Sequence, residues 1–301
     1  MITMKEVPVK ELLLKGNASC PGCGSTLALR WVLKILGEET ILVIPAGCGG
    51  VYEGMFPASA FNVPAVDSAF GAQAAVAAGL AAALRIRNKR ALVVGWSGDG
   101  GTADIGIQAL SAAAERGDDV LYFCYDNEAY MNTGVQRSGL TPFGAWTTTT
   151  PEGKREFKKN MPLIMAAHNI PYVATASVGF PLDLMTKVKK AAGMKGLRYI
   201  HILTPCPPGW RTADNMTIEL GRLAVRSGMW PLYEIEHGKL RMSKIGAKIS
   251  VKDYLKLQGR FAALTEDDIQ KLQEWTDEQM SYLKKLEKLT VHSNTRSSCE
   301  W

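Results

Sequence analysis

No stretch of this sequence is apolar for long enough to cross a bilayer, so no transmembrane helix is expected. Met1–Lys15 lacks the apolar core of a secretory signal, and the expected location is the cytoplasm. Basic residues outnumber acidic ones by only 35 to 29, the +6 charge is dispersed, and no basic stripe is interleaved with aromatics. Nucleic acid and membranes are therefore not expected partners. Histidine is scarce: residues 168, 201, 237 and 292 are scattered, none pairs with a carboxylate at ligand spacing, and all four read as structural or surface groups. Internal repeats and low-complexity tracts are absent. What remains is a 301-residue chain, 47% hydrophobic, suited to one large α/β domain or a domain with a smaller appendage.

The most informative stretch is 91–133. An apolar run, Ala91–Trp96, enters the turn Ser97-Gly98-Asp99-Gly100-Gly101. A helical pattern follows from about Ala103 to Glu115, then a second apolar run, Val120–Tyr125, ending in Asp126-Asn127-Glu128. This predicts a βαβ unit with a polar site at the carboxyl ends of both strands, where open parallel sheets hold ligands. Glycines let a backbone approach a phosphate, and a helix N-terminus favours negative charge. Asp99 is out of place in a bare phosphate cradle, because a carboxylate beside a diphosphate is repelled unless a cation lies between them. The pattern therefore points to Mg²⁺ plus diphosphate, with Asp99 and Asn127 as oxygen ligands. A competing reading takes Gly98-x-Gly100-x-x-Ala103 as a dinucleotide fingerprint with Asp126 on a ribose.

Six cysteines occur, at 20, 23, 48, 124, 206 and 299. In a cytosolic chain they suit metal or redox work better than disulfides. Cys20-Pro21-Gly22-Cys23 is a CxxC in a tight turn before a helix at about Ser25–Leu36. Cys48 follows a short strand, Ile41–Ile44, and is flanked by glycines. Cys206 follows the strand Tyr199–Leu203 between prolines. Four cysteines in such turns suit a [4Fe–4S] cluster or a structural Cys₄ zinc site, which spacing does not separate. Cys124 reads as a buried core thiol and Cys299 as incidental.

Elsewhere, 51–70 reads as irregular and Gly71–Ile86 as an alanine-rich helix. Ala129–Thr150 reads as a long active-site loop carrying Asn132, Thr133, Gln136 and Arg137. Met161–Ile170, Tyr172–Ala176 and Pro181–Met194 continue the helix–strand alternation. The expected fold class is α/β, a doubly wound, mostly parallel sheet with helices on both faces. From about Thr212 the character changes: a helix at Asp214–Arg226, a hairpin around His237-Gly238, a short helix at Val251–Leu257, and a charged amphipathic helix, Thr265–Leu289, with a Thr265/Asp268 capping box. This divides the chain into 1–211, carrying the cofactors, and 212–301, an extension whose helical arm packs on the domain or on a partner subunit.

Together, Cys20-x-x-Cys23-Gly24, Gly47-Cys48, GDGGTADIG at 98–106, YDNEAYMNTG at 125–134, TPFGAWTTT at 141–149 and TPCPPGW at 204–210 carry a resemblance. From about Asn17 to about Leu289 the chain resembles the β subunit of a multi-subunit 2-oxoacid:ferredoxin oxidoreductase, of the pyruvate:ferredoxin type. The resemblance implies the pyrophosphate-type thiamine-diphosphate-binding fold. It implies Mg²⁺ on Asp99, Asn127 and the Ala129 carbonyl, and a proximal [4Fe–4S] cluster on Cys20, Cys23, Cys48 and Cys206. It places Asn132 as the catalytic residue on the substrate side of the thiazolium, with Gly47, Gly98, Gly100, Gly101 and Thr133 among the cofactor contacts. The implied reaction is oxidative decarboxylation of a short 2-oxoacid, pyruvate with coenzyme A, with electrons passing to ferredoxin.

No second thiamine-type domain and no CxxCxxCxxxCP run occurs. The activating glutamate is thus expected from a partner α chain, and further clusters from a ferredoxin-like subunit. Around Cys48 the sequence departs from the pyruvate pattern, reading Gly49-Gly50-Val51-Tyr52-Glu53-Gly54-Met55 and then Asn62–Val66. Small residues there admit another acid, such as oxalate, for which coenzyme A is not needed. Readings from other classes are a nicotinamide-dependent dehydrogenase and a zinc-stabilised, non-catalytic assembly subunit.

Overall fold

A computed structural model describes residues 2–292; Cys299 lies outside them. One eight-stranded sheet organises the chain: β1 (Thr40–Pro45), β2 (Ala65–Ser68), β3 (Leu92–Gly98), β4 (Val120–Asp126), β5 (Tyr172–Ser177), β6 (Arg198–Leu203), β7 (Tyr233–Glu236) and β8 (Lys239–Met242). The spatial order is β2-β1-β3-β4-β6-β5-β7-β8. The first six strands are parallel, and β7 and β8 are antiparallel additions. Strands β4, β5 and β6 are buried along their whole length, as expected where helices cover both faces.

The helices are α1 (Gly24–Leu36), α2 (Cys48–Glu53), α3 (Gln73–Ile86), α4 (Asp99–Ala103), α5 (Ile107–Glu115), α6 (Met161–Ala166), α7 (Pro181–Ala192), α8 (Pro207–Trp210), α9 (Thr217–Ser227), α10 (Val251–Leu255) and α11 (Glu266–His292). α1 and α7 pack on one sheet face with Leu29, Val32, Leu33 and Val188, while α3, α5 and α6 cover the other with Ala77, Leu110, Ala113 and Met165. The Thr265 and Asp268 side chains each accept from the other's main-chain N–H, so the expected capping box starts α11. β7 and β8 extend the sheet itself, and α11 packs along β8.

Two local expectations differ from what is observed. The helix expected from 103 to 115 is broken: α4 begins at Asp99, and the chain turns at Asp104 before α5. Asp104 is held out of helical geometry by Lys159 Nζ at 2.8 Å, the Tyr130 hydroxyl at 2.8 Å and Gly139 N at 2.9 Å. The stretch 51–70 is not wholly irregular, since the second half of α2 and the edge strand β2 lie in it. α2 survives its glycines because Tyr52 is buried, with its hydroxyl bonded to Trp96 Nε1 at 2.6 Å and Ser25 Oγ at 2.9 Å. Of the residues after Cys48, Gly49, Tyr52 and Glu53 go into packing, while Val51, Met55 and Phe56 are exposed.

Candidate functional site

Chain order reverses between β1 and β3: the chain steps outward to β2 and then returns to the other side of β1. Ligands of open α/β sheets bind outside the carboxyl ends of the strands at such a point. A cavity of about 320 Å³ opens there, walled by Ala46–Cys48 after β1, Gly98–Gly101 after β3, and Asn127 with Ala129–Thr133 after β4. Ten of the residues expected to bind cofactors or metal therefore share one cavity: Gly47, Cys48, Gly98, Asp99, Gly100, Gly101, Asn127, Ala129, Asn132 and Thr133. Gln136 and Arg137 do not line it. Gln136 hydrogen-bonds back to Thr133, and Arg137 lies 3.7 Å from Glu156 on the surface.

Register explains the convergence. Gly98 pairs with Tyr125, so Asp99 and Asp126 leave the sheet side by side. Asp99 is buried, and its Oδ2 accepts from the Ser138 hydroxyl. Its Oδ1 lies 3.0 Å from the terminal amide atom of Asn127, which also lies 2.9 Å from the Ala129 carbonyl oxygen. With nitrogen in that position the amide donates to both. With oxygen there, three oxygens meet with no proton among them, a set that suits a hard cation. Burial raises the Asp99 pKa well above the usual carboxylate range, and the charge of Asp126 adds to this against the Ser138 bond. The buried carboxylates Asp99, Asp126 and Glu128 share two buried or nearly buried cations, Lys158 and Arg260, and Asp99 pairs with neither of them.

Several of these partners have no signature in the sequence. Glu128 Oε1 accepts from Lys158 at 2.9 Å and Oε2 from Arg260 at 2.6 Å. Burial alone raises the Glu128 pKa, but the two cations outweigh it and hold the carboxyl below its usual range. His201, expected to be merely structural or superficial, is buried with Nε2 3.0 Å from Asp126 Oδ2, a pairing set by the β4–β6 ladder and invisible in residue spacing. Asp126 Oδ1 accepts from Glu128 N at 2.8 Å. Asp126 is thus buried and engaged on both oxygens, which removes it as a ribose ligand and with it the dinucleotide reading of the turn.

Cys20, Cys23, Cys48 and Cys206 come from three loops, the first two sharing the turn before α1 and the others following β1 and β6. Gly24 N donates to Pro205 O at 3.2 Å, joining the Cys20–Cys23 turn to the Cys206 loop. Only glycine fits this contact, because a Cβ on Gly24 would lie 2.8 Å from Pro205 O and from Thr204 C. Gly49 N donates to the Tyr125 hydroxyl at 3.2 Å, fixing the start of α2 behind Cys48. Burial pushes the Cys48 thiol up to about 12, and Cys23, Cys20 and Asp99 add to the shift. Cys206 is likewise pushed to about 12 by burial, with Cys23, Cys48 and Cys20 contributing. Cys48 and Cys206 thus both lie within electrostatic reach of Cys20 and Cys23, while Cys124 is sealed inside β4. Cys48 lines the 320 Å³ cavity, whereas Cys20 and Cys23 line a separate surface cleft with Asn17 and Asp214. Among the described residues no three His, Cys, Asp or Glu side chains close on the position of a single metal ion, and no helix is long and apolar enough to cross a membrane.

Residues 46–202 match the family described as thiamine pyrophosphate enzyme, C-terminal TPP binding domain. The ketoisovalerate oxidoreductase subunit VorB of Pyrococcus abyssi is 49% identical over 93% of this chain and 94% of its own length. The pyruvate synthase subunit PorB of Methanothermobacter marburgensis is 50% identical over 90% and 97%. The chain is a β subunit of the thiamine-diphosphate-dependent 2-oxoacid:ferredoxin oxidoreductases. A 2-oxoglutarate:ferredoxin oxidoreductase from Magnetococcus marinus, solved with 2-oxoglutarate, coenzyme A and succinyl-CoA, shares the fold at TM-score 0.54 and 23% identity, over 71% of this chain and 84% of that one. As a β subunit of this oxidoreductase family, the chain works with other subunits.

Proposed function

We propose that this β subunit carries the diphosphate half of the thiamine site and the first electron acceptor of the same enzyme. The reading rests on one observation: Asp99 Oδ1, the Asn127 amide and the Ala129 carbonyl converge in a cavity that Cys48 also lines. Mg²⁺ fits this donor set. In the loaded subunit the Asn127 amide presents its oxygen, Ser138 holds Asp99 by its other oxygen, and the ion balances the buried negative charge. Gly98, Gly100 and Gly101 leave main chain at the cavity wall for the diphosphate, and Thr133 and Asn132 stand at its mouth, Asn132 on the substrate side.

Cys20, Cys23, Cys48 and Cys206 hold a [4Fe–4S] cluster. Cys20 and Cys23 act electrostatically on both Cys48 and Cys206, which supports grouping the four thiols as ligands of one cluster. When bound, thiamine diphosphate supplies an electron sink for loss of CO₂, and the cluster supplies an outlet for the electrons. Cys48, shared by cavity and cysteine set, keeps the two adjacent. The activating glutamate comes from an α subunit, and a ferredoxin-like subunit relays electrons to external ferredoxin.

The substrate is a short 2-oxoacid. Pyruvate with coenzyme A, giving acetyl-CoA and CO₂, is the first reading. The similarly close VorB relative favours 2-ketoisovalerate as the second. The test is anaerobic purification of the whole complex, iron and thiamine analysis, and viologen reduction with pyruvate, 2-ketoisovalerate and oxalate, each with and without coenzyme A. Coenzyme-A-dependent reduction with pyruvate supports the first reading. Preference for the branched acid, or coenzyme-A-independent oxalate turnover, replaces the substrate alone. A complex without iron and thiamine overturns the proposal.

A further inference from the structure

Two segments distant in sequence meet behind the cavity. Cys206 precedes α8 and Trp210 closes it, the Trp210 N–H returning to Cys206 O at 2.8 Å. The Trp210 indole is fully buried, and its Nε1 donates to the main-chain carbonyl of Asn127 at 2.8 Å. Arg260, from the C-terminal segment, lies over the same ring with Cζ 3.7 Å from its centroid, and its guanidinium pairs with Glu128 at 2.6 Å. Arg260 is itself fixed: Gln258 Oε1 accepts from its Nε at 3.0 Å, and its carbonyl accepts from Trp146 N at 2.7 Å. Glu128 has a φ of 68°, in the left-handed region that non-glycine residues rarely adopt.

These contacts act on one short piece of chain. Trp210 pins the carbonyl of Asn127, and Arg260 pins the side chain of Glu128. Beyond the left-handed step at Glu128, the Ala129 carbonyl oxygen lies 2.9 Å from the Asn127 side-chain amide, which in turn faces Asp99 Oδ1. Asp99 itself touches neither Trp210 nor Arg260 among the hydrogen bonds of the structure, so their influence passes through the turn. Because α8 is a single tight turn, any shift of Trp210 is also a shift of Cys206.

We propose that Trp210 and Arg260 are positioning residues that lock the Asn127–Ala129 turn to the Cys206 loop, holding the metal-bound cofactor and the cluster at one fixed separation. This rests on the assignment of Asp99, Asn127 and Ala129 to Mg²⁺ and of Cys206 to the cluster. Outer partners of ligands typically change metal affinity by about 10- to 100-fold when lost.

Trp210→Phe keeps a ring beneath Arg260 and deletes the donor to Asn127. Arg260→Lys keeps a positive charge and deletes the planar stack and forked donors. Tyr172→Phe is a matched control, since that buried hydroxyl donates to Glu234 Oε2 at 2.7 Å at the amino end of β5, the opposite end of the sheet. Each variant is purified anaerobically as the complete complex. Two quantities are read: the Mg²⁺ dissociation constant at saturating thiamine diphosphate, and the electron paramagnetic resonance spectrum of the reduced cluster. The expected result is about tenfold weaker Mg²⁺ binding and a shifted spectrum in both test variants, with the control unchanged in both. Arg260→Lys carries the test if Trp210→Phe does not assemble. Wild-type affinity and spectrum in the test variants, or equal changes in the control, overturn the proposal. A wild-type complex with neither thiamine-dependent Mg²⁺ binding nor a cluster signal is a different failure, because there the ligand assignment falls first and the lock with it.

Discussion

The Ser138 hydroxyl donates to Oδ2 of Asp99 across 39 residues of chain, leaving Oδ1 to face the Asn127 amide and the Ala129 carbonyl. One oxygen of the carboxylate is thus held by the protein and the other is turned to the cavity. Without Ser138 the buried carboxylate loses the side-chain hydroxyl that orients it. Ser138→Ala is expected to weaken Mg²⁺ binding about tenfold, with thiamine diphosphate retained less well on gel filtration. Unchanged retention at limiting Mg²⁺ would count against Asp99 as a ligand.

Cysteine replacements separate ligands from packing. Serine at 20, 23, 48 or 206 is expected to lower iron per complex sharply, whereas Cys124→Ser, in the sealed interior of β4, is expected to keep iron and cost stability through its buried hydroxyl, by about 1–3 kcal/mol. Iron assay and a thermal melt on each variant distinguish the two behaviours. Iron lost equally in all five variants would dissolve the assignment.

Gly24→Ala tests how the cysteine loops are joined. The added methyl would lie 2.8 Å from main-chain atoms of Thr204 and Pro205, which cannot swing aside as a side-chain tip can. The start of α1 must move off the Cys206 loop. The expected outcome is poor iron incorporation, while thiamine retention, governed by the far side of the cavity, persists. Full iron content in this variant would show that the contact tolerates movement.

A pH effect is expected from Glu53. Burial, followed by the charge of Asp67 and a hydrogen bond to it, raises its pKa from 4.5 to about 7. Between those values the folded chain binds more protons than the unfolded one, so this group's contribution to stability is full below pH 4.5 and is lost as pH rises through 7. Glu53→Gln keeps the hydrogen bond to Asp67 without the charge. Wild type is expected to lose about 3 °C or more of melting temperature between pH 5 and pH 8 that Glu53→Gln does not lose. Parallel curves for the two proteins would refute the shared proton.

The βαβ unit around Gly98–Gly101 was legible because its signals are local: two apolar runs, a glycine turn and polar residues at both strand ends. The placing of Cys20, Cys23, Cys48 and Cys206 in turns was legible for the same reason, each lying just before a helix or just after a strand. Edge strand β2 was not, since four residues with half-exposed ends carry little pattern. α2 was hidden by two glycines whose cost is met by long-range contacts of Tyr52 and Gly49. His201 with Asp126 is set by ladder register over 75 positions, and Arg260 with Glu128 by packing over 132. Such pairings are properties of the folded sheet, and no spacing rule in the chain reports them.

The Arg260–Glu128 pair also sets a clock. During synthesis at ~5–20 residues per second, Glu128 waits roughly 7–26 s for its guanidinium to be made. In that interval its turn has only Lys158 for company among these two cations. A nascent chain can therefore finish β3 and β4 well before it can finish the turn between Asn127 and Ala129. A chain cut short of Arg260 would reach its partners with that turn lacking one of its two cations.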